Sequence, residues 1–401
     1  MPAVSAFTIT ARDGGSRARS GILRTAHGEV RTPAFVPLAT KATVKTLLPA
    51  EVAGLGYDMV LGNTYHLFLE PGHELIRDAG GLHEFMAWRA PIVTDSGGFQ
   101  VFSMGHGTVA DEVKGRAPQG ATRQGGVLRI DERGVRFRSY LDGSERFMAP
   151  ETSMEVQAAL GSDLALVFDE CTPFHVSRDY TARSTERTHR WLGRCLDWHR
   201  EHGPAGQLVF GIVQGGVFED LRVESAQTVA ASACDGIAIG GSLGADKAEM
   251  YEVVGWTTAQ LGGRDELRPR HLLGIGEIDD LVRGIELGID TFDCAMPTRL
   301  GRHGTALVAD PERRWRVDLT AARWRRSQEP LLEGCPCPAC ALGYTRAYLA
   351  YLARSREPTG ARLLTLHNLA FVERVVRRLR EAIGAGRLAE EAAALRAGGA
   401  P

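Results

Sequence analysis

Leu164-Ala165-Leu166-Val167-Phe168-Asp169 is a run of five apolar residues that stops on a carboxylate. Beyond it, residues 180–202 carry Trp191, Leu192, Cys195 and Trp198 three or four positions apart. The first stretch has the length and composition of a buried strand, and the second has the period of a helix with one apolar face. A further β-prone stretch, Gln207-Leu208-Val209-Phe210-Gly211-Ile212-Val213-Gln214, follows at once. Outward in both directions the alternation recurs. β-prone stretches lie at 34–38, 58–63, 91–95, 164–169, 207–214, 236–240, 271–276 and 291–293. Helical segments lie at 47–54, 73–80, 154–160, 180–202, 221–233, 247–261 and 278–287. Strand then helix, eight times over, describes an α/β protein of the (β/α)8 TIM-barrel class, with a doubly wound open sheet as the rival.

Two stretches break the rhythm. Within 102–150, Val127-Leu128-Arg129-Ile130 and Val135-Arg136-Phe137-Arg138 flank Asp131-Glu132-Arg133-Gly134, which reads as a β-hairpin inserted in a barrel loop. After Arg299 come a basic run, a cysteine cluster and helical stretches at 341–354 and 367–383. The expected organisation is therefore a barrel core over 1–305, a metal-binding subdomain over 306–370 near the last barrel helix, and a C-terminal helix with a fraying Ala/Gly-rich tail over 371–401.

The chain has 401 residues, 44% hydrophobic and 24% charged, with a formal charge of -2. That is a soluble globular composition with no global positive field, so any nucleic-acid partner must be met by a local patch. The opening Met1-Pro2-Ala3-Val4 has no basic head leading into an apolar stretch, and no window approaches a membrane span, so a cytoplasmic protein without membrane contact is expected.

Three of the seven cysteines fall in Cys335-Pro336-Cys337-Pro338-Ala339-Cys340, and His367 is the only histidine downstream of them. Three closely spaced thiolates and an imidazole complete a zinc tetrahedron; four protein ligands leave no open position, so one structural zinc per chain is expected.

Three aspartates end predicted strands: Asp95, Asp169 and Asp293. In a barrel such positions converge on one cleft, where like charges perturb one another's proton affinity. Asp also ends strands simply because it makes turns and caps, but three together point to a site. Gly97-Gly98, Gly215-Gly216 and Gly240-Gly241 leave backbone amides bare beside the same mouth. A planar base fits against such backbone while Gln214 and a neighbouring carboxylate read its edge. Neither a P-loop nor a dinucleotide pattern is present, so no nucleotide cofactor is expected. From 299 to 326 eight arginines, with Trp315 and Trp324 interleaved, offer donors and an aromatic platform for a polyanion.

Asn63-Thr64-Tyr65-His66-Leu67, Asp95 to Gln100, Val167 to Cys171, Gly211 to Gly216, Phe292-Asp293-Cys294 with Pro297-Thr298-Arg299, Gly301-Arg302, the cysteine cluster and Leu366-His367-Asn368-Leu369 form an ordered set. In it the chain resembles the bacterial-type tRNA-guanine transglycosylases, from about residue 20 to residue 385. The resemblance implies exchange of guanine at the wobble position of tRNA with a GUN anticodon for the deazaguanine preQ1, in queuosine biosynthesis. It implies Asp293 as nucleophile on ribose C1′ and Asp95 as general acid and base. Asp169, Gln214 and the backbone of Gly240 and Gly241 then read the base, Phe99 and Leu273 cover its faces, and Cys171 borders the pocket. Arg299 and Arg302 would meet the anticodon loop, and a homodimer is implied. A queuine-incorporating enzyme and a non-catalytic tRNA-binding partner are the rivals. The pattern breaks at Gly240 to Lys247, one residue short, which leaves open whether Asp246 replaces a loop glutamate.

Overall fold

Strands buried on both faces need an apolar residue at nearly every position, and the short runs Leu164-Ala165-Leu166 and Gly236-Ile237-Ala238-Ile239 meet that demand. In the computed structural model, which describes residues 6–103 and 126–401, these runs become staves of a parallel barrel. An antiparallel sheet of β1 (Phe7–Arg12), β2 (Arg19–Thr25) and β3 (Gly28–Thr32) precedes it. The staves are β4 (Ala34–Val36), β5 (Val60–Gly62), β6 (Ile92–Thr94) and, after an insertion built from β7 (Val127–Asp131), β8 (Gly134–Arg138) and β9 (Glu145–Met148), β10 (Leu164–Leu166), β11 (Leu208–Val213), β12 (Gly236–Ile239), β13 (Arg270–Leu272) and β14 (Thr291–Asp293). The spatial order is β4-β14-β13-β12-β11-β10-β6-β5, and a parallel bridge between Leu38 and Leu61 joins the two ends. The fold is thus the (β/α)8 barrel expected, each stave lying within or one residue from its predicted stretch.

The helices follow from local chemistry. Ser177 caps Arg178–His202 by accepting from the N–H of Tyr180, Asp179 stands in its first turn, and His199, Arg200 and His202 in its last. Its inner face buries Trp191, Leu192 and Cys195, and the indole of Trp191 stacks on Phe168 at 5.1 Å. At the N-terminal end of the barrel, Asp163 accepts from the N–H groups of His27 (3.1 Å) and Ile92 (2.9 Å), with His27 and His83 stacked beside it.

Four features differ from expectation. The inserted hairpin is the first two strands of a three-stranded antiparallel sheet; residues 104–125 of the expected 102–150 insertion lie outside the described residues. A further hairpin, β15 (Thr305–Leu307) with β16 (Arg316–Asp318), occupies part of the basic run. His367 lies in the middle of one long helix, Pro358–Gly384, rather than at a helix start. Where a fraying tail was expected, Leu388–Arg396 is a helix: Leu388, Ala392 and Leu395 share one face and are buried. Ion pairs from Arg378 to Glu391 and from Arg396 to Glu286 fasten it.

Candidate active site

Because the staves are parallel, their C-terminal ends open on one mouth. Asp95 follows β6, Asp169 lies just beyond β10, and Asp293 ends β14. Asp95 is gripped by the side-chain amide of Asn63 and by the N–H of Thr64 at 2.9 Å. Burial raises its pKa to about 7; the charges of Asp293 and Asp169 add to that rise, while the N–H groups of Thr64 and Gly97 oppose it. Asp169 is raised to about 6, again mainly by burial. It accepts from Ser96 Oγ at 2.8 Å and from Gln214 Nε2 at 2.6 Å, so two of the expected base-reading side chains touch. Asp293 is buried and its Oδ1 accepts from the backbone N–H of Gly274 at 3.1 Å.

Two glycines are dictated by this arrangement. A Cβ on Gly98 would lie 2.5 Å from the carbonyl oxygen of Asp169, and one on Gly241, whose φ is +79°, would lie 2.2 Å from Gln214 Oε1. A Cβ on Gly240 would lie 3.2 Å from Leu273 Cδ1, which places Leu273 beside the same backbone. Cys171 is buried, and burial pushes its thiol far above the usual range, so it meets the pocket as a neutral group. Phe99 stands exposed in the first turn of the helix that starts at Gly98. At the short loop, Asp246 is occupied as the cap of helix Lys247–Ala259, accepting from the N–H of Glu249. It is Glu249 whose carboxylate holds the loop, accepting from the N–H of Ala245 at 2.7 Å.

Sequence reading missed His271, which reaches Asp293 Oδ1 through Nε2 at 3.1 Å while its Nδ1 meets Thr291 Oγ1 at 2.8 Å. Its only local signal was a polar ring in a short strand whose other residues are Arg270 and Leu272. It also missed the contacts of Asn63 and Thr64 with Asp95, although both lie in a motif that had been singled out. Lys45 lies close enough to Arg302 for that charge, after burial, to lower its pKa.

Part of the basic run is engaged within the fold. Trp315 is buried, its indole N–H donating to Asp279 Oδ1 at 3.0 Å. Arg314 and Arg316 both pair with Glu277, and Arg313 with Asp310. Trp324 is covered by the guanidinium groups of Arg323 and Arg346, 4.9 and 5.1 Å from its ring centre. Arg299 and Arg302 lie on the helix Met296–Arg302, which follows β14 and Asp293 after two residues, and Lys45 lies near Arg302. Arg299 is exposed, and Arg302 Nε is buried with no partner among the described residues.

Cys335, Cys337, Cys340 and His367 bring one ligand atom each within 4.8 Å of one another. His367 Nε2 donates to the carbonyl of Leu307 at 2.8 Å, which fixes the ring and leaves Nδ1 facing the three sulfurs at 3.4 to 3.9 Å. The next residue, Asn368, binds Leu307 N–H and the carbonyls of Pro297 and Thr305, tying the cluster to the helix that carries Arg299 and Arg302.

A family model described as queuine tRNA-ribosyltransferase matches residues 13–398. The chain is 51% identical over 393 residues to the queuine tRNA-ribosyltransferase of Roseiflexus sp. (strain RS-1), covering 96% of this chain and 97% of that one. It is 48% identical over 383 residues to the protein of that name from Pelotomaculum thermopropionicum, covering 95% of each. Against that of Moorella thermoacetica the figure is 45% over 394 residues, with 98% and 97% covered.

Proposed function

The chain belongs to the queuine tRNA-ribosyltransferase family, a family of pentosyltransferases acting on tRNA, and from that premise we propose that it exchanges guanine at the wobble position of tRNA with a GUN anticodon for the precursor base preQ1. Asp293 attacks ribose C1′ as the bond to the departing guanine breaks, and Asp95 delivers a proton to that guanine. The incoming base then gives a proton back to Asp95 and displaces Asp293 from C1′. Two inversions retain configuration, and no nucleotide energy source is required because one glycosidic bond is traded for another. Asp169 and Gln214 read the hydrogen-bonding edge of the base beside the bare backbone of Gly240 and Gly241. Phe99 and Leu273 flank its faces, and Cys171 lines the wall as a neutral thiol.

The observation that carries this reading is the state of Asp95: a carboxyl with a pKa of about 7 beside Asp293 at one barrel mouth can both give and take a proton near neutral pH. Arg299 and Arg302 serve the anticodon loop from the helix that follows Asp293. One zinc held by Cys335, Cys337, Cys340 and His367 fastens the C-terminal chain and takes no part in the reaction. The protein works in the cytoplasm as a homodimer. The test is incorporation of radiolabelled guanine into tRNA carrying guanine at the wobble position: label is expected in the RNA, and well-folded, metal-replete protein that transfers none overturns the reading. Competition between preQ1 and queuine for the same tRNA decides the incoming base, with preQ1 expected to win.

A further inference from the structure

Arg222 stands in the first turn of helix Glu219–Ala231 and is completely buried. A cation at that end opposes the helix dipole, and its burial costs more still; burial lowers its pKa to about 9. None of the ion pairs among the described residues includes it. Its guanidinium is instead spread over main-chain carbonyls: Nε donates to Gly216 (2.7 Å), Nη1 to Val213 (3.1 Å) and Gly240 (2.8 Å), and Nη2 to Ser242 (2.9 Å). Val213 ends β11 and Gly216 lies in the loop that leaves it, while Gly240 and Ser242 lie in the loop that leaves β12. The first loop carries Gln214, the second Gly241.

A trans peptide points its C=O and N–H in opposite directions. With the carbonyl of Gly240 turned onto Arg222, the N–H of Gly241 faces away from it, on the side where Cys171 lies. Gly241 has no side chain to hold this conformation, and its positive φ is one that only glycine adopts freely. The restraint must come from outside the loop, and the five N–H groups of a planar guanidinium supply it where an ammonium could not match the geometry.

We propose that Arg222 is a positioning residue for base recognition: by clamping the carbonyls of Val213, Gly216, Gly240 and Ser242 it fixes the Gly241 N–H and the Gln214–Asp169 pair as one rigid donor and acceptor pattern for a planar purine-like lactam. This rests on the reading of the mouth as a base pocket. Arg222 acts on how well the base is held and leaves the chemistry at C1′ to Asp293 and Asp95.

The experiment compares the parent protein with Arg222→Lys and Arg222→Ala. Steady-state exchange with labelled guanine is followed alongside hydrogen exchange of residues 213–216 and 240–243 in base-free protein. Arg222→Lys is expected to raise KM for guanine by about tenfold or more with kcat and KM for tRNA within about threefold, and to speed hydrogen exchange in both loops. Added ethylguanidine is expected to restore guanine affinity to Arg222→Ala but not to the Lys variant. An Arg222→Lys protein with parental KM for guanine and parental loop exchange overturns the proposal. So does a loss falling equally on kcat and both KM values, with lowered melting temperature and no rescue, which is what a merely structural residue gives. If the parent itself transfers no guanine, the functional reading fails, and loop exchange in Arg222→Lys still decides whether the clamp exists.

Discussion

Nε2 of His271 lies 3.1 Å from Oδ1 of Asp293, and the N–H of Gly274 meets the same oxygen at 3.1 Å. One carboxylate oxygen is thus held from two sides, while no hydrogen bond among the described residues engages Oδ2. A neutral imidazole with its proton on Nε2 fits both contacts, since Nδ1 then accepts from the Thr291 hydroxyl at 2.8 Å. Under the proposed mechanism His271 would position Asp293 rather than react. His271→Phe removes the donor and is expected to lower kcat by ~10²-fold, the size of effect that a misplaced reacting group produces, with KM for guanine unchanged. His271→Gln can still donate and should recover a substantial part of that loss. Parental turnover by the Phe variant would show that Asp293 needs no such support.

The raised pKa of Asp95 has consequences for both stability and rate. Its carboxyl is held at about 7 in the folded protein against 3.8 for the unperturbed group. The folded state therefore binds this proton more tightly, and the associated stability is fully present below about pH 3.8 and lost as pH rises through about 7. Asp95→Asn should be more stable than the parent at pH 8 and should lose that advantage by pH 4, as melting temperatures will read. In single turnover, guanine release by the parent should fall above about pH 7 as the acid form disappears. A flat profile from pH 6 to 9 would remove Asp95 from that step.

Salt dependence separates the cations that follow Asp293 from those paired elsewhere. Arg302→Ala should reduce the slope of log K for tRNA against log salt by ~0.7, and Arg314→Ala, whose parent side chain is already held by Glu277, should leave the slope unchanged. Equal slopes for both variants and the parent would dismiss Arg302 as a phosphate contact.

The cysteine cluster should bring one equivalent of zinc through purification, measurable by elemental analysis. Strong chelation, or Cys337→Ser, should lower the melting temperature and weaken tRNA binding through Asn368 and helix Met296–Arg302, with the affinity for free guanine nearly unchanged. Fully reduced protein that melts identically with and without the chelator would count against a structural metal.

The barrel was legible because staves buried on both faces must be short apolar runs, and each run ends where backbone meets the mouth; that same rule exposed Asp95, Asp169 and Asp293. What escaped was whatever depends on a partner far along the chain. The eight arginines from 299 to 326 looked like a free patch because nothing local reveals that Glu277 neutralises two of them or that Asp279 and Phe371 bury Trp315. His271 and Arg222 escaped for a related reason: a histidine in a strand and an arginine in a helix are unremarkable until Asp293 and the four carbonyls are placed beside them. The last helix was hidden by its small size and by the glycines around it, since only Leu388, Ala392 and Leu395 carry its packing.

The central claim is that Asp293 forms a covalent bond to the ribose of its tRNA, and denaturing gel electrophoresis of enzyme mixed with substrate tRNA tests it most directly. The account predicts a slow-migrating protein–RNA band with the parent protein that disappears when guanine is added in excess, and no such band with Asp293→Asn, which should still bind tRNA in a native gel. A band of equal intensity from Asp293→Asn, or exchange of labelled guanine at the parental rate by that variant, would contradict it.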